Sequence, residues 1–81
     1  LDCLDPSVAP AVANLEPGVS GFSIHEAVGL LQGLRGLNII GADVVCMVPS
    51  KDSPNQITAL TSTAVMFEQI SLIADTLASN T

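Results

Sequence analysis

The sequence predicts an α/β fold, in which one strand–helix–strand unit of a parallel sheet is followed by a closing helix. Three patterns carry this prediction. Residues 37–48 form a nearly continuous apolar run, apolar residues recur at helical spacing on both sides of it, and a long loop rich in proline and glycine lies near the start. The resulting order of strand end, loop, helix, strand and helix is typical of a right-handed βαβ unit.

The first strand contributes its end, Leu1 to Leu4, and a loop follows over residues 5–22. Prolines and glycines punctuate this loop at Pro6, Pro10, Pro17, Gly18 and Gly21. A structureless stretch of this length is uncommon inside a compact domain and is more often functional. We therefore expect the first residues and their loop to carry chemistry.

The first helix is predicted from Ser23 to a stop at Gly36. Ser23 and Glu26 fit a capping box, in which the hydroxyl and the carboxylate each accept a free amide of the first turn. Arg35 is placed in the last turn, where a cation suits the helix dipole. The apolar positions that face the core are Ile24, Ala27, Val28, Leu31 and Leu34.

The second strand and second helix follow from the remaining pattern. Residues 37–48 are β-branched and apolar without alternation, which favours a strand covered on both faces, and Pro49 stops it. A second capping pattern starts at Ser53 with Gln56 at its third helical position, and a helix is predicted from about Asn55 to Ala78. This helix is apolar on more than one face, so neighbours should cover it.

A sheet of this size would have two open edges, whereas parallel sheets occur almost exclusively with both faces covered. We therefore interpret residues 1–81 as a piece of a larger α/β domain, incomplete on its own. The charged fraction of 12% is low for a free-standing small domain, which favours the same interpretation.

The net charge of −6, with one Lys and one Arg, argues against a nucleic-acid partner and against an anionic membrane surface. No uninterrupted apolar run approaches the roughly 18 residues of a membrane span. No signal peptide is visible, so we expect a cytoplasmic protein, with an organelle as the alternative. Cys3 and Cys46 are too few for a disulfide scaffold and are predicted to be buried free thiols.

Ligands of open α/β sheets bind beyond the carboxyl ends of the strands, which here are Asp2 to Asp5 and Cys46 to Val48. Asp2 at a strand end could bind a hard metal ion, or it could accept backbone amides of the loop, and the spacing alone favours the second reading. Asp5 before Pro6 is predicted to be a turn residue. His25 is expected on the surface and receives no role.

The start of the chain resembles a signature of the ureohydrolase family of arginase and agmatinase. The residues that carry the resemblance are Asp2-Cys3-Leu4-Asp5-Pro6-Ser7-Val8-Ala9-Pro10, then Leu15-Glu16-Pro17-Gly18, and further along Leu37-Asn38-Ile39-Ile40-Gly41-Ala42-Asp43-Val44-Val45. The likeness covers essentially the whole chain and is greatest to the agmatinase-like and plant-type arginase branches.

The resemblance implies a three-layer αβα fold with a pair of Mn²⁺ ions at the strand ends, although another divalent metal is possible. In the family these ions hold a hydroxide that attacks a guanidinium carbon, and urea leaves. The resemblance further implies a guanidino small molecule as substrate and a homo-oligomer, a trimer or hexamer, for the complete protein. Asp2 matches a metal-binding aspartate of the family, whereas the other catalytic segments lie outside these 81 residues, so we expect the chain alone to be inactive.

Cys46 stands at the position of the family glutamate that grips the substrate guanidinium, and a neutral thiol cannot make that charge-assisted, bidentate contact. Gly18-Val19-Ser20-Gly21 also looks like a family glycine pair opened by two residues. Two hypotheses follow. The chain is part of a metal-dependent amidinohydrolase with Cys46 in the substrate pocket, or it is a catalytically degenerate structural or regulatory subunit.

Overall fold

The computed structural model describes residues 1, 3–11 and 21–79, and it consists of two helices joined by extended and turn segments. Helix α1 spans Ile24–Gln32 and helix α2 spans Ile57–Ser79, with a short 3₁₀ turn at Pro49–Lys51 between them. Both predicted helices are therefore confirmed. The predicted parallel βαβ sheet is not, because the described residues hold no regular strand; Leu4 and Phe22 form an isolated parallel bridge.

Helix α1 begins as its sequence predicts. The Ser23 hydroxyl accepts the amide of Glu26 at 3.1 Å, and the Glu26 carboxylate accepts the amide of Ser23 at 3.1 Å, which completes the capping box. The predicted end was too late, because the helix stops at Gln32 and residues 33–36 form turns. Arg35 thus lies beyond the last turn, where its side chain pairs with Asp75 of α2 at 3.5 Å.

Helix α2 is capped differently from the prediction. Ser53 and Gln56 do not form the expected capping box. Instead the carboxylate of Asp52 accepts the amides of Thr58 and Ala59, at 3.1 and 3.0 Å, and Asn55 accepts the amide of Ile57 at 3.1 Å. A carboxylate at the N-terminus of the helix also interacts favourably with the positive end of the helix dipole. The helix therefore starts two residues later than predicted.

Residues 37–48 run antiparallel to α2 and form no regular strand. Thr76 Oγ1 accepts the amide of Ile39 at 2.9 Å, and Gln69 donates to the carbonyl of Asp43 at 3.0 Å. Ser62 lies 3.7 Å from the sulfur of Met47 at the other end. An extended chain from residue 39 to 47 reaches about 26 Å and the helix from 62 to 76 about 21 Å, so the segment beside α2 is not fully extended. The positive φ of Cys46 and the bond from the Ile39 amide to the Leu37 carbonyl interrupt an extended conformation, and the predicted strand is not confirmed.

The buried face of α2 consists mostly of hydroxyl side chains, together with Leu72. Thr58 is completely buried and accepts the amide of Ala11 at 3.0 Å, while Thr61 donates to the carbonyl of Val8 at 2.8 Å. Leu4, Ala9 and Ala11 are the buried apolar residues of the N-terminal segment. This core is small, and polar bonds from α2 hold the non-helical segments beside it.

Many apolar side chains of α2 are exposed, although Leu72 is buried. Several of the largest are exposed, at Leu60, Met66, Phe67, Ile70 and Leu77. By length and average composition alone, α2 would also be long and apolar enough to cross a bilayer. A core helix of a larger domain has the same properties, and Glu68 and Asp75 interrupt the apolar sequence. The expectation that neighbours cover more than one face of α2 stays a prediction.

We expect Thr58→Val to destabilise the chain by about 1–3 kcal/mol, because the shape is kept while the buried amide of Ala11 loses its acceptor. Urea unfolding followed by circular dichroism measures the change, and faster hydrogen exchange at the Ala11 amide would locate it. Thr63→Val is the matched control, since Thr63 is exposed and its hydroxyl bonds within α2. Equal effects of the two substitutions would contradict the assigned role of Thr58.

Candidate functional site

The ends of the two predicted strands lie side by side, as the sequence analysis expects. The backbone nitrogen of Leu1 is 3.4 Å from the carbonyl oxygen of Val45, and the amide of Val48 donates to the carbonyl of Ala11 at 2.7 Å. Asp2 lies outside the described residues, so its assignment as a metal ligand stays a prediction. Its chain neighbour Leu1 nevertheless contacts the residue next to Cys46.

Asp5 fastens the two ends of the loop. Its carboxylate accepts the amide of Ser7 at 2.9 Å and the amide of Gly21 at 3.3 Å. The bonds from Ser7, followed by the one from Gly21, lower the pKa of Asp5 below its ordinary value. Its own amide donates to the carbonyl of Phe22 at 2.8 Å. The predicted turn role of Asp5 is confirmed, and this carboxylate is engaged by backbone amides.

Gly21 lies at the other end of the loop, where its backbone approaches the backbone of Leu4 and Asp5 closely. A Cβ atom at this position would lie 2.6 Å from the amide nitrogen of Asp5 and 2.6 Å from the carbonyl carbon of Leu4. The amide of the next residue, Phe22, donates to the carbonyl of Cys3 at 2.9 Å. A side chain at residue 21 therefore cannot coexist with the parallel bridge between Leu4 and Phe22.

Both cysteines are exposed free thiols, so the prediction that they are buried was wrong. The prediction relied on apolar neighbours in sequence, but a thiol among them is buried only if another element covers the segment. No described element covers Cys3 or Cys46. Cys46 also has a positive φ of 72°, a conformation that costs a residue with a Cβ atom free energy. Its proposed place in a substrate pocket stays a prediction.

Asp52 is the residue whose role the sequence analysis missed. Burial raises the pKa of its carboxyl, but hydrogen bonds from the amides of Thr58, Ala59 and Ser53 outweigh this effect and lower the pKa overall. The available signal was an acid shortly before Pro54 at the start of an apolar helix, a position where carboxylates satisfy free amides. Asp52 therefore positions α2 relative to the 3₁₀ turn.

An apolar cavity of about 280 Å³ adjoins the contact between Leu1 and Val45. Among the described residues that line it, Asp43 is the sole carboxylate, and the wall also includes Cys3, Phe22, Leu30 and Val65. Among the described residues, His, Cys, Asp and Glu side chains form no group of three or more that could hold a metal ion. His25 is exposed, in agreement with its prediction. These residues do not by themselves fit a metal centre, and an open, mostly apolar hollow is what they enclose.

Comparisons with known proteins agree on one family. The model of the arginase family matches residues 1–71. The chain is 40% identical over 74 residues to an agmatinase of Photorhabdus laumondii, covering 91% of this chain and 23% of that protein. It is 39% identical over 70 residues to an agmatinase of Escherichia coli, covering 86% of this chain and 22% of that protein. The chain thus spans less than a quarter of the length of these relatives. No solved structure matches it.

We expect Gly21→Ala to destabilise the chain by about 1–3 kcal/mol, because the new methyl group overlaps backbone atoms that cannot move aside. Gly29→Ala is the control, since a Cβ there meets nothing within 4 Å and alanine favours the helix by about 0.5–1 kcal/mol. Thermal unfolding of both variants measures the difference. Opposite signs are expected, and two similar losses would contradict the close approach at Gly21.

Stability should also depend on acid pH. The folded pKa values of Asp5 and Asp52 lie below their ordinary value of 3.8. Their contribution is therefore complete above that value and is lost as the pH falls through the folded pKa. Asp52→Asn should lower stability at neutral pH and flatten this acid decline, because the amide removes the titrating carboxylate. Urea titrations between pH 2 and pH 7, a range of about five units that brackets ordinary carboxyl values, test this.

Proposed function

Because this chain belongs to the arginase family, we propose that it forms part of a binuclear-metal amidinohydrolase of the manganese type, which cleaves a C–N bond of a guanidino compound and releases urea. The family implies an αβα fold, in which ligands bind beyond the carboxyl ends of the strands. In this proposal Asp2 supplies one carboxylate to the metal pair and Cys46 lines the substrate pocket. The agmatinase names of the similar proteins support a substrate of the agmatine type.

The match of the arginase-family model to residues 1–71 carries the proposal, and the 3.4 Å approach of the terminal nitrogen of Leu1 to the carbonyl of Val45 supports it. In this approach Leu1, the residue before Asp2, lies beside Val45, the residue before Cys46. The proposal requires Asp2 and Cys46 to be neighbours, as a metal ligand and a pocket wall. Asp5 accepts the backbone amides of Ser7 and Gly21, and the proposal assigns Asp2 of the same signature to the metal. The described residues form no metal centre, so the other ligands come from beyond them.

A second candidate function is a ureohydrolase-like subunit without catalysis. The observation that favours it is Cys46 itself, an exposed neutral thiol where the family resemblance places a substrate-binding glutamate. Replacing a carboxylate by a thiol removes the charge-assisted hydrogen bonds that hold a guanidinium. Such a subunit would keep the fold and its contacts with other copies while losing affinity for the substrate.

The proposal is tested on the protein expressed from its complete gene. We expect about two equivalents of manganese per chain by elemental analysis, and we expect Asp2→Asn to lose about one of them. Asp43→Asn is the control with the same charge change. A metal content near zero, or one that Asp2→Asn leaves unchanged, would contradict the metal assignment. The 81-residue chain alone is expected to release no urea from agmatine or arginine.

Cys46→Glu separates the two candidate functions in the same complete protein. If Cys46 lines a substrate pocket beside an intact metal pair, the restored carboxylate should strengthen binding of a guanidino substrate, by about tenfold or more in KM. Cys46→Gln is the control, because it has the size of glutamate without the charge. Full metal occupancy with no hydrolysis of any guanidino compound, before or after the substitution, would favour the degenerate subunit.

A further inference from the structure

Four hydrogen-bonded residues join the two segments of the proposed site to the start of α2. We define them as the Asp52 network: Val48, Ala11, Thr58 and Asp52. The amide of Val48 donates to the carbonyl of Ala11 at 2.7 Å, and the amide of Ala11 donates to the hydroxyl of Thr58 at 3.0 Å. The amide of Thr58 then donates to the carboxylate of Asp52 at 3.1 Å, and Asp52 follows Val48 closely in the chain. The network is therefore a closed ring that three separate stretches of sequence contribute to.

The hydroxyl of Thr58 is the central link of this ring. Thr58 and Ala11 are both fully buried, with exposed fractions of 0%. Burial raises the pKa of Asp52, whereas bonds from the amides of Thr58 and Ala59, followed by a bond from the Thr58 hydroxyl, lower it overall. The hydroxyl thus donates to the carboxylate while its oxygen accepts the Ala11 amide, and bonds linked in this way strengthen one another. Asp52 therefore acts on Ala11 through Thr58.

Two contacts between the same pair of segments lie on either side of Cys46. Before it, the carbonyl of Val45 lies 3.4 Å from the terminal nitrogen of Leu1, and after it the Val48 amide bonds the carbonyl of Ala11. Cys46 has a φ of 72°, which a residue with a Cβ atom keeps only where the surrounding structure holds it. The bond at Val48 is one such constraint, and it belongs to the Asp52 network.

We propose that Asp52 is a positioning residue, whose network holds the segment of Cys46 against the segment that carries Asp2. The inference rests on the proposed function for the identity of the site, and Asp52 acts there through other residues. A cap that served α2 alone would need the amides of Thr58 and Ala59 but no further link from Thr58 to the other segment. A displacement of about 1 Å caused by a distant substitution can cost about 100-fold in rate, so the network controls turnover from outside the reacting groups.

Hydrogen exchange followed by mass spectrometry, on the protein expressed from its complete gene, tests the proposal. Asp52→Asn replaces an acceptor oxygen by a donor, and Thr58→Val keeps the cap of α2 but breaks the link to Ala11. Both should speed exchange in the peptide covering residues 45–52 by about tenfold or more, because the Val48 amide loses its fixed acceptor. Thr76→Val is the matched control, since Thr76 is also buried and accepts a distant amide at the other end of α2. It should leave exchange over residues 45–52 unchanged.

Manganese content and turnover of the same variants separate positioning from general stability. Asp52→Asn and Thr58→Val should keep the manganese content of the parent protein, because neither residue is a ligand in the proposal. They should lower kcat for agmatine by about tenfold or more with a smaller change in KM, since the geometry of the reacting groups is disturbed more than binding. Thr76→Val should leave kcat unchanged, and so should Asp75→Asn, which removes the same charge near the far end of α2.

The other outcomes overturn the proposal. Unchanged exchange in Asp52→Asn, or an effect that Thr58→Val does not share, would reduce Asp52 to a cap of α2. Equal losses of kcat in Thr76→Val would show a general loss of stability, and manganese lost from Asp52→Asn would place Asp52 in the metal site itself. A parent protein without metal and without hydrolysis of guanidino compounds would refute the proposed function, and the exchange comparison would then still decide whether Asp52 holds the two segments together.

Discussion

The structure depends on the hydroxyl face of α2, which satisfies backbone groups that a sheet would otherwise pair. Buried amides and carbonyls need partners, and an extended segment without a neighbouring strand has none of its own. Thr58 accepts the amide of Ala11, Thr61 donates to the carbonyl of Val8, and Thr76 bonds both Ile39 and Leu37. The described fold is therefore held by a helix that serves as a polar scaffold, with few buried apolar side chains behind it.

This constraint explains why the candidate site takes its shape at the start of the chain. The N-terminal segment is fixed along α2 by the hydroxyls and at its turn by Asp5, which also binds the amide of Gly21 at the far end of the loop. This places Leu1 beside Val45. These two residues directly precede Asp2, the predicted metal ligand, and Cys46, the predicted pocket residue. Family membership gives that adjacency its chemical meaning, since the acids at strand ends are where arginase-type proteins are expected to bind ligands.

The same helix has two faces with different requirements. Its hydroxyl face is satisfied within the described residues, whereas its apolar face exposes Leu60, Phe67, Ile70 and Leu77 to solvent. Exposed apolar residues in one continuous stripe mark an interaction surface more often than an isolated exposed leucine does. A chain that spans less than a quarter of its relatives leaves such surfaces open, and their positions indicate which contacts the larger domain has to provide.

The sequence by itself determined the two helices, the capping box of Ser23 and Glu26, the turn at Asp5 and the family, because these depend on local spacing and on residues close together in the chain. It did not determine the state of residues 37–48, whose apolar pattern predicts a strand that forms only beside another strand. It also misplaced Cys3 and Cys46, because burial depends on what covers a segment. The cap at Asp52 had a local signal, the acid before Pro54, which the sequence analysis did not use. Tertiary structure decided that the threonines of α2 face inwards beside Leu72 while Leu60, Phe67, Ile70 and Leu77 stay exposed. Which side chains of α2 face inwards depends on backbone groups far away in the sequence that need a hydrogen-bond partner. The apolar periodicity of the helix does not contain that information.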